Sequence, residues 1–141
     1  MRNMSFSLTT PQMYAREKTV TRRLGWDFLN AGDLVMAVEK CQGLKKGEKV
    51  VKITPIKIMK INAEMVNEIT PEEILKEGFP EMGVGEFVQM FCKANNCNPN
   101  TLINRIEFSF PDLNGFFWSG GYVRIDTNST GNCHQPSPVG A

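Results

Sequence analysis

Six consecutive residues, Lys18-Thr19-Val20-Thr21-Arg22-Arg23, concentrate most of the chemistry this chain offers. Lysine and arginine grip phosphate and carboxylate, arginine through its planar fork. Threonine hydroxyls donate and accept hydrogen bonds, and an activated one attacks as a nucleophile. A lysine activates a hydroxyl only when its own amine is neutral, which takes burial or a cationic neighbour. Spacing sets a further condition. On a regular strand Lys18, Val20 and Arg22 face one way and Thr19, Thr21 and Arg23 the other. Lys18 meets Thr21 only at a turn or helix end, where residues three apart are neighbours. A catalytic segment therefore requires a bend here. A straight segment reads instead as a solvated β-edge of alternating threonine and basic residues.

Other residue sets invite chemistry more weakly. Glu72, Glu73, Glu77 and Glu81 are four carboxylates in ten residues, and Glu73 and Glu77 share a helix face. A solvated acidic first turn, favoured by the helix dipole, accounts for them better than a metal does. Cys92, Cys97, Cys133 and His134 are zinc-ligand types, but their spacing fits no usual knuckle. No metal and no cofactor is expected. Trp26 and Phe28 have the rings to stack on a base or to pack under the Gly32 turn. Lys45 and Lys46 suit phosphate as well as they suit a soluble loop.

The elements that must position these residues follow from pattern. Met4, Phe6 and Leu8 alternate with serines, a short strand. Thr10 as N-cap with Pro11 behind it starts a short helix through Met13, Tyr14 and Ala15. Leu34-Val35-Met36-Ala37-Val38 is an apolar strand after the Gly32-Asp33 turn. Val50–Ile53 and Ile56–Ile61 form a β-rich stretch broken at Pro55. Thr70-Pro71-Glu72-Glu73 is a capping box opening a helix that Gly78 stops. A second helix runs from Val84 to about Ala94, and Thr101–Phe110 is the last clear strand, with Leu102, Asn104, Ile106, Phe108 and Phe110 on one face. Residues 111–141 read as an extension: a hairpin around Gly120-Gly121, then disorder from Asp126. The order describes one α+β domain over residues 1–110, with a small, mostly antiparallel or mixed sheet.

With 41% hydrophobic and 22% charged residues, the 141-residue chain has the balance of a globular domain and not of a fibrous or disordered one. No apolar run is long enough to span a membrane, and the N-terminus lacks the pattern of a signal peptide. A cytoplasmic protein is expected, with its four cysteines as reduced thiols. The net charge of +1 hides an asymmetry. Residues 1–60 hold 12 Lys/Arg against 5 Asp/Glu, and residues 61–110 hold 3 against 8. A basic half can face phosphate; equally, the two halves can neutralise each other across the fold.

The Lys18–Arg23 run followed by Gly32-Asp33 resembles the signature of the ASCH domain family, a Gly-x-Lys-x-x-x-x-Arg pattern with a Gly-Asp turn before a strand. Glu77-Gly78-Phe79 with Glu86-Phe87 resembles the family's acidic helix pair, and Arg105-Ile106-Glu107-Phe108 its closing strand. The likeness spans roughly residues 4–110 and is nearest to short phage and prophage members. It implies a PUA-like β-barrel with two or three short helices, binding RNA or a modified nucleoside or nucleotide. Thr19, Arg22, Arg23, Trp26, Lys45 and Lys46 would then contact the ligand. Lys18, Thr19, Thr21 and Arg23 also reproduce the Lys-Thr-x-Thr-x-Arg core of the bacterial N4-acetylcytidine amidohydrolases. That resemblance implies Lys18 as base, Thr21 as nucleophile, and Glu77, or its rival Glu81, as the acidic partner. A third reading is a phage accessory protein acting through protein contacts. The sequence leaves the oligomeric state open.

Overall fold

A computed structural model describes residues 1–111; the expected hairpin and tail lie outside the described residues. Five strands make one sheet: β1 (Asn3–Ser5), β2 (Val20–Arg23), β3 (Leu34–Val38), β4 (Lys52–Met65) and β5 (Leu102–Ser109). Their order is β1-β3-β4-β5-β2, with β1 parallel to β3 and every other pair antiparallel. Helix α1 (Thr10–Tyr14) follows β1, while α2 (Pro71–Glu77) and α3 (Val84–Asn95) fall between β4 and β5. The expected α+β class and mixed sheet are present. The ladder order is open among the described residues, with β1 and β2 at its two ends, so barrel closure is not seen. Yet the ends approach each other, because Arg23 Nη2 on β2 donates to the Ser5 carbonyl on β1.

Several local features depart from the sequence pattern for physical reasons. Pro55 does not break the β-rich stretch; β4 runs through it, opposite Met36. Strand β5 pairs with β4 only from Lys57 onward, so at Pro55 that side of β4 needs no N–H for a ladder. On β5 the buried residues are Ile103, Ile106 and Phe108, while Leu102 is exposed. Ile106 and Phe108 belong to the cluster around Phe6 and Trp26, while Ile103 belongs to the one around Phe87 and Phe91, so the two faces of β5 serve different clusters. The cap of α1 is Thr9, and the Thr10 hydroxyl bonds to the Phe6 carbonyl at 2.8 Å instead of capping. Thr70 caps α2 as its sequence implies, accepting from the Glu73 amide at 3.3 Å, and Gly78 ends the helix with φ +99°. Cys92 and Cys97 are free thiols, whereas Cys41 is disulfide-bonded, against the expectation for all four.

Two hydrophobic clusters flank the segment of interest. One gathers Met4, Phe6, Met13, Trp26, Val35, Ile56, Ile58, Ile106 and Phe108 against the sheet. The other gathers Val66, Ile69, Ile74, Phe87, Phe91 and Ile103 beneath α2 and α3. Strand β2 is an edge by hydrogen-bonding order, but all four of its residues are buried. The solvated β-edge suggested by its composition is therefore overturned.

Candidate functional site

The site is built by α2 packing against β2. The main chain of Thr19 holds the two together: its amide donates to the Lys76 carbonyl at 2.9 Å, and its carbonyl accepts from Phe108 at 3.0 Å. Val20–Arg23 then pairs in regular register with Asn104–Glu107 of β5. No turn interrupts β2, so the bend required for a catalytic segment is absent within it. Alternation instead sends Lys18 and Arg22 toward α2, and Thr21 and Arg23 to the other face.

On the α2 face the two cations converge on Glu77. Lys18 Nζ donates to Glu77 Oε1 at 2.6 Å and to the Glu77 carbonyl at 2.8 Å. Arg22 Nη1 donates to Glu77 Oε2 at 2.9 Å. All three side chains are 0% exposed. The second arm of Arg22 reaches Glu64 and Glu73, both at 2.9 Å. Arg105 forks onto Glu73 and continues to Glu107. The result is a chain of alternating charges running from the interior to the surface.

On the other face, Arg23 Nε donates to Thr21 Oγ1 at 3.1 Å, and the guanidinium lies 4.7 Å over the Phe6 ring. Arg23, like Thr21, is fully buried. Lys18 and Thr21 thus occupy opposite faces of one extended segment.

Burial decides the electrostatics. It pushes the Lys18 amine down to about 8, against the pull of Glu77, and Arg23 and Arg22 add to the depression. Burial likewise lowers Arg23 to about 10, opposed by Glu77. Hydrogen bonds from Arg105, and then from Arg22, hold the Glu73 carboxyl at about 2 despite partial burial.

Of the residues singled out in the sequence, Lys18, Arg22 and Glu77 come together in one buried knot, with Thr21 and Arg23 behind the strand. Glu77, not Glu81, reaches Lys18. Glu81 is exposed and, with Gln12, Phe79 and Met82, lines a neighbouring cavity of about 300 Å³. Trp26 is buried in the first hydrophobic cluster, its ring 5.4 Å from Phe28. Lys45 and Lys46 stand on an exposed loop where the Lys45 amide donates to Glu48. Sequence reasoning passed over Glu64, Glu73 and Arg105 as partners of the knot. Glu73, one turn before Glu77 on the same helix face, carried the only readable signal. Among the described residues no group of histidine, cysteine or carboxylate side chains is arranged to hold a metal ion. No helix there is long and apolar enough to cross a membrane.

No known family model and no curated protein matches the sequence. Solved structures do. A protein of Enterococcus faecalis V583, described under the DUF984 family model, has a TM-score of 0.50 at 16% identity over 72% of this chain and 69% of its own. An ASCH domain from Lactobacillus crispatus JV V101 has a TM-score of 0.48 at 15% identity over 73% and 70%. The chain shares a fold with the Enterococcus protein. An ASCH domain stands among its structural neighbours. At such identities the likeness is one of fold alone.

Proposed function

We propose that the chain is a PUA-like binding domain for a modified nucleoside or nucleotide, recognised around Lys18, Thr21, Arg22, Arg23 and Glu77. The observation that carries this reading is the enclosure of the segment's three cations. An RNA-tracking groove needs exposed lysine and arginine that exchange counterions for phosphates. Here the cations are buried, oriented and bonded, which suits a small ligand with a few fixed polar contacts. Titration calorimetry with nucleosides, N4-acetylcytidine among them, tests the reading. Binding that changes little between low and physiological salt and falls in Lys18→Ala supports it. Binding confined to RNA, with a steep salt dependence, sinks it.

A second reading, hydrolysis of an N4-acylated cytidine, is favoured by one specific observation. Burial pushes the Lys18 amine down to about 8 although it is held 2.6 Å from Glu77, a shift toward the neutral form that takes a proton. The resemblance to the acetylcytidine amidohydrolases supplies Thr21 as nucleophile. The placement of Thr21 across the strand from Lys18 weighs against their direct proton exchange. Incubation with N4-acetylcytidine, followed by mass, decides between the readings: release of acetate and cytidine above the enzyme-free rate makes the site catalytic.

A further inference from the structure

Arg23 differs from the other two cations of the site. Lys18 and Arg22 each hold a carboxylate oxygen of Glu77. Among the described residues no carboxylate lies within ion-pair distance of Arg23. Its bonds go to a hydroxyl, Thr21 Oγ1, and to a carbonyl, that of Ser5, and its face rests on Phe6. Its remaining nitrogen, Nη1, is buried and has no hydrogen-bond partner.

The neighbouring chain is similarly unfinished. Ser5 Oγ and Thr9 Oγ1 are also buried without partners, on residues 4% and 0% exposed. Ser5 is the residue whose carbonyl Arg23 grips, and Thr9 closes the turn that follows, its amide donating to the Phe6 carbonyl at 3.1 Å. A buried cation with no carboxylate in ion-pair contact is costly, and so is each orphaned donor. Arg23 touches Ser5 through the Ser5 carbonyl and Thr9 lies one turn further on, so the three unpartnered groups fall at one corner of the fold, between β1, α1 and β2. Arginine and hydroxyl donors match the oxygens of a phosphate.

We infer that Arg23, Ser5 and Thr9 receive an anionic oxygen group of the ligand, so that the domain takes a nucleotide phosphate monoester in preference to the neutral nucleoside. The inference rests on the nucleoside reading above for the remainder of the ligand. Access requires the Phe6–Thr9 turn to part from β2. That turn is held by the Thr9 amide and the Thr10 hydroxyl on the Phe6 carbonyl and leads into a five-residue helix with no side-chain cap.

The test compares the four ribonucleosides, their 5′-monophosphates and inorganic phosphate by calorimetry and thermal shift, on the wild type and on Arg23→Gln and Ser5→Ala. A monophosphate bound at least tenfold more tightly than its nucleoside, with the gain reduced several-fold in both variants, supports the inference. Should Arg23→Gln fail to fold, Ser5→Ala decides alone, since it deletes one hydroxyl and keeps the backbone. Equal affinity for nucleoside and monophosphate overturns the inference and leaves the nucleoside reading standing. Stabilisation by inorganic phosphate that weakens in Ser5→Ala, without nucleoside binding, supports the anion site and overturns the nucleoside reading. No response to any of the three ligand types overturns the inference.

Discussion

Lys18 Nζ lies 2.6 Å from Glu77 Oε1, and neither side chain reaches solvent. The pair joins the strand that carries the motif to the last residue of α2, so the site and the packing of that helix are one structure. A buried ion pair gains little over a well-packed apolar pair, but breaking one strands its partner. Here the carboxylate serves two cations at once, Lys18 and Arg22.

Glu77→Gln is therefore expected to destabilise the fold by about 3–5 kcal/mol, because it leaves two buried cations facing a neutral amide. The exposed Glu81→Gln is the control, with a change of about 0.5 kcal/mol or less. Urea unfolding of both variants checks this. A Glu77→Gln midpoint close to that of the control contradicts the arrangement.

Gly78 is the hinge of the same corner. Its φ of +99° disfavours any side chain, and a Cβ there meets Gln12 Cγ at 3.0 Å and Lys18 Cβ at 3.5 Å. Gly78→Ala should cost about 1–2 kcal/mol from the left-handed backbone alone, with crowding added. The crowding falls on Gln12, and Lys18 Cβ is in ordinary contact; but the strained backbone adjoins Glu77, whose carbonyl and carboxylate hold Lys18, so ligand binding should fall further than global stability explains. Calorimetry at a temperature where the variant is fully folded separates the two effects. Unchanged affinity there would show that Gly78 acts only as a helix stop.

The fold was legible where local rules act alone. The Thr70 cap, the glycine stop at Gly78 and the apolar run of β3 form as their residues dictate, while the Glu73 carboxylate expected to complete a capping box is held by Arg22 and Arg105. What the sequence concealed depends on partners distant along the chain. The composition of Lys18–Arg23 suggests a wet edge, yet α2 arrives from 55 residues downstream and covers it. Alternation correctly assigned Lys18 and Arg22 to one side and Thr21 and Arg23 to the other. It did not reveal that both sides are interior. Glu64 was unreadable as a partner because nothing local marks one carboxylate on a long, mixed strand. Pro55 misled because its cost depends on where β5 begins to pair, a tertiary fact.

The depressed Lys18 amine makes a prediction about pH with a definite sign. Its folded value is about 8 and its ordinary value 10.5, so between the two the unfolded chain binds more protons than the folded one. Stability contributed by this group must therefore rise with pH across that window and stay at its lower level below about 8. Glu73 acts in a second window. Its carboxyl is held at about 2 instead of 4.5, so its contribution is complete above 4.5 and is lost as pH falls toward 2. Urea midpoints measured from pH 2 to 9.5 for the wild type, Lys18→Met and Glu73→Gln resolve the two. Lys18→Met replaces the amine with an apolar chain of similar length while Arg22 still holds Glu77. The difference between wild type and Lys18→Met should shift in favour of the wild type above pH 8 and be flat between 5 and 7. The difference for Glu73→Gln should be flat above 5 and shrink in acid. A Lys18→Met difference that stays constant through pH 9.5 would mean that the amine keeps its ordinary affinity for protons. The case for Lys18 as a base near neutrality would then be lost, while the binding reading, which needs only its position, would remain.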